Sequence, residues 1–352
     1  MEIISARSPF WISVGESDQI GSKVELFIWN KGTTEPTIPT YIMSENIASV
    51  TQTETNYNIS PYILEYINQI SVNYNTVPTI EENTDWCLVR VKRYKNVSGT
   101  FTLLDNIVYF GVNGYTEVSQ GMNYMNDDYN NKYLLGSGGI IQYYNDIPYY
   151  NFLCISDTGT NFYIKYYNKS GTLLNTNTFR TAIAANYFNY RLPLAYNNSA
   201  YCQIGDDGDG VAYTIYTEKL EECKYTPINC SYVNKFGGWQ QLVFFKERIY
   251  KVDVKGSKYN LMQSNVNYNY QIGQTKTFNS NGKASITCNT GWVYESYNTF
   301  IQELMLSDTV LLNGTPVTVK TQSLTYKTDL RDKNINFTID FEYSNNLLND
   351  IV

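Results

Sequence analysis

Asn336-Phe337-Thr338-Ile339-Asp340-Phe341-Glu342-Tyr343 alternates apolar and polar residues without a break. Successive side chains of an extended chain point to opposite faces, so Phe337, Ile339, Phe341 and Tyr343 share one side and Thr338, Asp340 and Glu342 the other. A helix would scatter the same aromatic residues around its circumference. The stretch is therefore a strand with one buried face, entered through a turn at Asp332-Lys333-Asn334. Val317-Thr318-Val319-Lys320-Thr321 and Leu324-Thr325-Tyr326-Lys327-Thr328 precede it, and the three predict an antiparallel meander.

Moving outward, the same period recurs. Cys230-Ser231-Tyr232-Val233 and Gln241-Leu242-Val243-Phe244-Phe245 read as strands joined by a turn at Asn234-Lys235-Phe236-Gly237-Gly238. In the middle of the chain, Phe152-Leu153-Cys154-Ile155 and Asn161 to Tyr167 flank Asp157-Thr158-Gly159-Thr160, which predicts a hairpin. Asn168-Lys169-Ser170-Gly171 is a further turn, and Ala212 to Thr217 a further strand. Asn126-Asp127-Asp128 and Gly136-Ser137-Gly138-Gly139 punctuate the aromatic strands. Near the N-terminus, Val24 to Trp29 is closed by Asn30-Lys31-Gly32-Thr33. Cys87 to Tyr94 and Leu103 to Val112 flank a turn at Ser98-Gly99, with Leu88 and Arg90 on one face and Val89 and Val91 on the other. Helices are few. Ser60-Pro61 reads as N-cap and N1 before Ile63, Tyr66, Ile67 and Ile70, and Phe300, Ile301, Leu304 and Met305 form a second stripe. The expectation is a mainly all-β chain of antiparallel β-sandwich-like domains with one or two short helices. Three domains are expected: 1–113, 114–222 (Tyr- and Asn-rich) and 223–352, the last with the meander.

Composition narrows function. The 352 residues contain no histidine and 34 tyrosines. Without histidine there is no Ser-His-Asp triad, no Cys-His dyad and no His-bound zinc. Tyrosine suits strands and offers an apolar face with a polar tip, which serves interfaces. AT-rich coding bias accounts for the Asn and Tyr excess equally well. The net charge is -7, and the 26 Lys and Arg residues are scattered, so no nucleic-acid partner is expected. Charged residues make up only 17% of the chain, against about a quarter in an average domain. A neutral polar surface of that kind suits a protein covered by neighbours. No leader peptide and no membrane segment are expected. Six cysteines without a CxxC pair predict reduced, buried thiols.

Chemistry-bearing motifs are sparse. Gly205-Asp206-Asp207-Gly208-Asp209-Gly210 could hold a Ca²⁺ ion through Asp206, Asp207 and Asp209, but it lacks the distal bidentate Glu of an EF-hand; a solvated turn is the alternative. Glu81-Glu82, Asp127-Asp128 and Glu221-Glu222 are acid pairs, and none shows the cross-cleft spacing of a glycosidase. The Gly136–Gly139 run lacks the Walker Lys, and no GxSxG elbow occurs. No catalytic residue, metal or cofactor is assigned. Tyr143, Tyr144, Tyr149 and Tyr150, with Trp239 after Gly237-Gly238 and Trp292 after Gly291, are candidate interface residues; strand packing in the core is the alternative for each.

The C-terminal third resembles a module of structural tail proteins of tailed bacteriophages that infect Bacteroidetes, the crAss-like phages among them. The resemblance is carried by Cys223-Lys224-Tyr225-Thr226-Pro227-Ile228, by Val233 to Lys246 and by Thr290-Gly291-Trp292-Val293. It continues through Ile301 to Ser307, Leu324 to Asp329 and Phe337 to Tyr343. An opening similar to that of such proteins is present at Val24 to Asn30 and Tyr57 to Ile63. These are strand and turn patterns whose specificity lies in their order, and they carry no active site. The resemblance implies a non-enzymatic virion protein of a tail hub, ring or adaptor, folded in the host bacterial cytoplasm. Its partners would be itself in a ring or hub and other tail or portal-proximal proteins. A tail-tip or fibre protein binding host glycan is the alternative.

Overall fold

The computed structural model describes residues 2–30, 34–49, 51–67, 80–82, 85–123, 131–155, 161–181, 187–222, 224–262, 266, 269–323 and 335–349. It is an all-β fold, with strands over 56% of the chain and helices over 6%. Among the described residues, no helix is long and apolar enough to cross a membrane. The expected turns at 31–33, 126–128, 157–160 and 332–334, the strand at 324–328, Ile70 and Cys223 lie outside the described residues.

The N-terminal sheet is ordered Ile3–Ser5, Thr100–Val112, Trp86–Val97, Gly21–Trp29, Tyr41–Asn46. Its central hairpin turns at Ser98 and Gly99, both at positive φ, the backbone of a two-residue type I′ turn whose twist matches the strands. Val89 and Val91 face one cluster, with Val24, Leu26 and Ile63; Leu88 faces another. The Ser60–Tyr66 helix covers the first cluster with Ile63 and, just past its end, Ile67. Its N-cap is Ile59 rather than Ser60: the Ser60 hydroxyl donates to the Ser8 carbonyl at 2.6 Å, and Asn58 Oδ1 accepts the Ser60 N–H.

Two sheets from the middle of the chain pack face to face. One runs Glu81–Glu82, Phe188–Pro193, Tyr149–Cys154, Lys132–Leu135; the other runs Ile140–Tyr143, Gly210–Lys219, Tyr201–Asp206, Phe162–Tyr167, Leu173–Arg180. Phe152 and Phe162, which the sequence places in one hairpin, lie in different sheets, and the first strand pairs with Phe188–Pro193 and Lys132–Leu135. The reason is burial: all six residues of Tyr149–Cys154 are buried, so this strand needs cover on both faces. Tyr150, Phe152 and Cys154 pack towards the second sheet. On the opposite face Leu153 meets Trp86, Phe110 and Leu135, and Tyr149 meets Val233, Trp239 and Leu311. The Asn168 turn forms as read, its side-chain oxygen accepting the N–H groups of Ser170 and Thr172. Among the described strands the ladders are antiparallel except two, Ile3–Ser5 on Thr100–Val112 and Ile140–Tyr143 on Gly210–Lys219.

The C-terminal sheet has seven strands, ordered Trp239–Phe244, Ile228–Val233, Val310–Leu312, Thr315–Val319, Ile335–Asn346, Thr275–Val293, Arg248–Asn260. The Ile335–Asn346 strand behaves as its alternation requires: Phe337, Ile339 and Phe341 are buried while Asn336, Thr338 and Asp340 are exposed. The Tyr297–Met305 helix lays Tyr297, Phe300, Ile301 and Leu304 on the core. That core is continuous with the middle sheets, joining Phe152, Phe162 and Ile204 to Tyr232, Ile286 and Phe341 across the expected boundary at 222/223.

Candidate assembly surface

Four of the six residues singled out as interface candidates are withdrawn by their burial inside this chain. Tyr143, Tyr149, Tyr150 and Trp239 are all buried. Trp239 donates through Nε1 to Asp85 Oδ2 at 3.0 Å, and the Arg191 guanidinium lies 4.0 Å from the Tyr149 ring centroid. Tyr150 stacks on Gly136, where a Cβ would sit 2.4 Å from its ring, and donates its hydroxyl to the Ser137 carbonyl at 2.8 Å. Tyr144 is half-buried against the same core. Tyr149 and Tyr150 lie on the doubly covered Tyr149–Cys154 strand, and Trp239 packs against Tyr149.

Trp292 is exposed, at 64%. Strict alternation after Ile286, Cys288 and Thr290 would turn it inward. The ladder shifts register between Asn289 and Trp292, and Gly291 adopts φ +68, so an extra residue enters the strand. Val293 takes the buried place and Trp292 turns to solvent.

A run of exposed apolar side chains lies elsewhere, on Arg248–Asn260. Tyr250, Val252 and Val254 are 59%, 55% and 68% exposed and share one face. That face continues the core: Tyr250 stands opposite Ile286, which stands opposite Phe341, both buried. The other face carries the exposed Ile249 and the charged pair Lys251 and Asp253, joined at 2.7 Å. Leu347 approaches the Val254 end, both within van der Waals reach of a Cβ built at Gly282. The period-two pattern Tyr250-Lys251-Val252-Asp253-Val254-Lys255 is legible in the sequence; that its apolar side stays more than half exposed, with Arg248 5.5 Å from the Tyr250 ring centroid and Leu347 near Val254, is not.

The Asp-rich turn is organised around a lysine. Lys132 Nζ sits 2.6 Å from Asp206 Oδ2 and also contacts Asp209. Burial pushes the ammonium pKa down, and its bonds to Asp206 and Asp209 outweigh that and hold it above the ordinary lysine value. Asp206 Oδ1 accepts the N–H groups of Gly208 and Asp209, both at 2.8 Å, and Asp207 pairs with Asn161. An ammonium thus stands where a cation ligand set was considered, and no group of three metal-ligating side chains occurs among the described residues.

A buried acid closes the inner side of the Gly136–Gly139 loop. Glu303, 3% exposed, accepts the Ser137 hydroxyl at 2.6 Å, and burial pushes its carboxyl up to about 7. The adjoining pocket, lined by Glu117, Lys235 and Gln302 among others, measures about 250 Å³, small for an organic ligand.

On the outer face of the five-stranded middle sheet, Tyr167, Tyr201 and Tyr216 form a row across three strands. Tyr167 and Tyr201 stack at 4.9 Å and 9°, and Tyr201 and Tyr216 lie 5.7 Å apart. No protein-family model matches the chain, and no curated protein matches it.

Proposed function

We propose that this chain is a non-enzymatic structural component of a tailed-phage virion, a hub, ring or adaptor protein of the tail that assembles in several copies. The observation that carries the reading is the exposed apolar face of Tyr250, Val252 and Val254 on the outermost described strand of a seven-stranded sheet. A contiguous exposed apolar strip of this kind fits a surface that a neighbour covers. The likeness of the C-terminal strand and turn order to phage tail modules supports the same reading. Electron-microscopy reconstruction of the intact particle tests it. The expected result is density for the chain as a symmetric collar or hub; absence from the particle overturns it.

The Tyr167–Tyr201–Tyr216 row favours a second reading, a tail-tip protein that stacks host surface glycan on those rings. Binding on a host-glycan array that is lost in Tyr201→Ala supports that reading, and a blank array removes it.

A further inference from the structure

Arg248–Asn260 ends the C-terminal sheet, and no described strand pairs with its outer edge. Such an edge presents backbone N–H and C=O groups to another strand. We propose that this edge pairs antiparallel with the same strand of a second copy of the chain, about a two-fold axis at Val252. The proposal rests on the multi-copy reading above and names the contact it would use.

Charge selects both the occupant and the register. In a two-fold antiparallel pair each residue faces its mirror position across the centre. Centring on Val252 sets Lys251 opposite Asp253 of the second copy, twice over, on the face that carries the charged pair. On the apolar face it sets Tyr250 opposite Val254 and Val252 opposite itself. Centring on Lys251 opposes two lysines. Centring on Asp253 opposes two aspartates and sets Lys251 against Lys255, and centring on Tyr250 sets Asp253 against Glu247. Like charges directly opposite are destabilising. Centring on Val254 matches Asp253 with Lys255 but carries the pairing through the irregularity between Lys255 and Ser257. Of these five, the Val252 register alone joins opposite charges, opposes no like ones and keeps its 251/253, 250/254 and 249/255 pairs ahead of the irregularity. Lys251 and Asp253, 67% and 42% exposed, pair with each other at 2.7 Å within one chain, and in the dimer each would meet the opposite charge of the second copy as well. An unrelated edge would need to reproduce this spacing of signs; a second copy has it by identity.

The test uses the full chain with Val252→Cys under mild oxidation. Directly opposite residues of antiparallel strands have Cα atoms about 4.5–5.5 Å apart, within the span of a disulfide. A disulfide-linked dimer is expected, and none from Lys258→Cys, beyond the irregularity. In sedimentation, Lys251→Asp and Asp253→Lys should each weaken dimerisation roughly tenfold, and the double exchange should restore it. No cross-link at Val252, or no restoration by the double exchange, overturns the pairing. A particle holding several copies whose 248–260 strands lie apart overturns the pairing and leaves the assembly reading intact. Absence from the particle, with the Val252 cross-link formed, overturns the assembly reading and leaves the pairing.

Discussion

Ser137 and Glu303, 166 residues apart, are joined by a 2.6 Å hydrogen bond in which the serine hydroxyl donates to a buried carboxyl group. The bond ties the glycine-rich loop to the Tyr297–Met305 helix and gives the fold a titrating element. Burial raises the Glu303 carboxyl from an ordinary 4.5 to about 7. The folded state therefore holds this proton more tightly than the unfolded chain does. The associated stability is fully present below pH 4.5 and is lost as pH rises to about 7, a loss of about 3 kcal/mol. Urea midpoints should fall from pH 4.5 to pH 8 in the wild type, and Glu303→Gln should flatten that fall. An unchanged slope in the variant would show that Glu303 is not the titrating group.

Trp239 holds Asp85 through a bond between two buried side chains. Trp239→Phe keeps most of the apolar volume and removes the donor. A buried carboxylate that loses a hydrogen bond costs about 2 kcal/mol. The expected outcome is a destabilisation of that size in urea unfolding, reduced when Asp85→Asn is added. A neutral Trp239→Phe would mean the indole acts by shape alone.

Lys132 neutralises the acidic turn from inside. Lys132→Met leaves the buried Asp206 carboxylate without its cation, a loss of about 3–5 kcal/mol. The double variant with Asp206→Asn should recover most of it. Added Ca²⁺ should leave the wild-type melting temperature unchanged, since the ammonium occupies the place between Asp206 and Asp209. A Ca²⁺-dependent rise in melting temperature would refute this.

Cys87, Cys154, Cys202, Cys230 and Cys288 are buried, and burial pushes the Cys87 and Cys288 thiols up to about 12. Thiolate is the reactive form, so these groups should resist reagent in the native state. In a Cys223→Ser background, a thiol-reactive dye should label none of them within minutes and all five after denaturation. Labelling before denaturation would indicate local opening of a core strand.

Much of the local structure was legible because it depends on neighbours in sequence. The alternation of Phe337, Ile339 and Phe341 set a strand and its buried face, and Ser98-Gly99 set a tight hairpin. Asn234 set a turn by accepting the N–H groups of Phe236 and Gly238. The helix stripe of Phe300, Ile301 and Leu304 was equally plain. The site was less legible. Tyr149, Tyr150 and Trp239 carry the same chemistry whether they face a partner or a core, and only the cover on both sides of Tyr149–Cys154 placed them inside.

Sequence alone determined the all-β class, the faces of single strands and most turns, since period-two patterning and turn chemistry act over a few residues. Tertiary structure decided which sheet each strand joined, parting Phe152 from Phe162 because a strand buried on both faces must lie between layers. It also decided that a bulge at Gly291 turns Trp292 to solvent, and that the apolar side of Tyr250, Val252 and Val254 runs past the end of the core. What covers a face is a relation between distant segments, and no local pattern of residues encodes it.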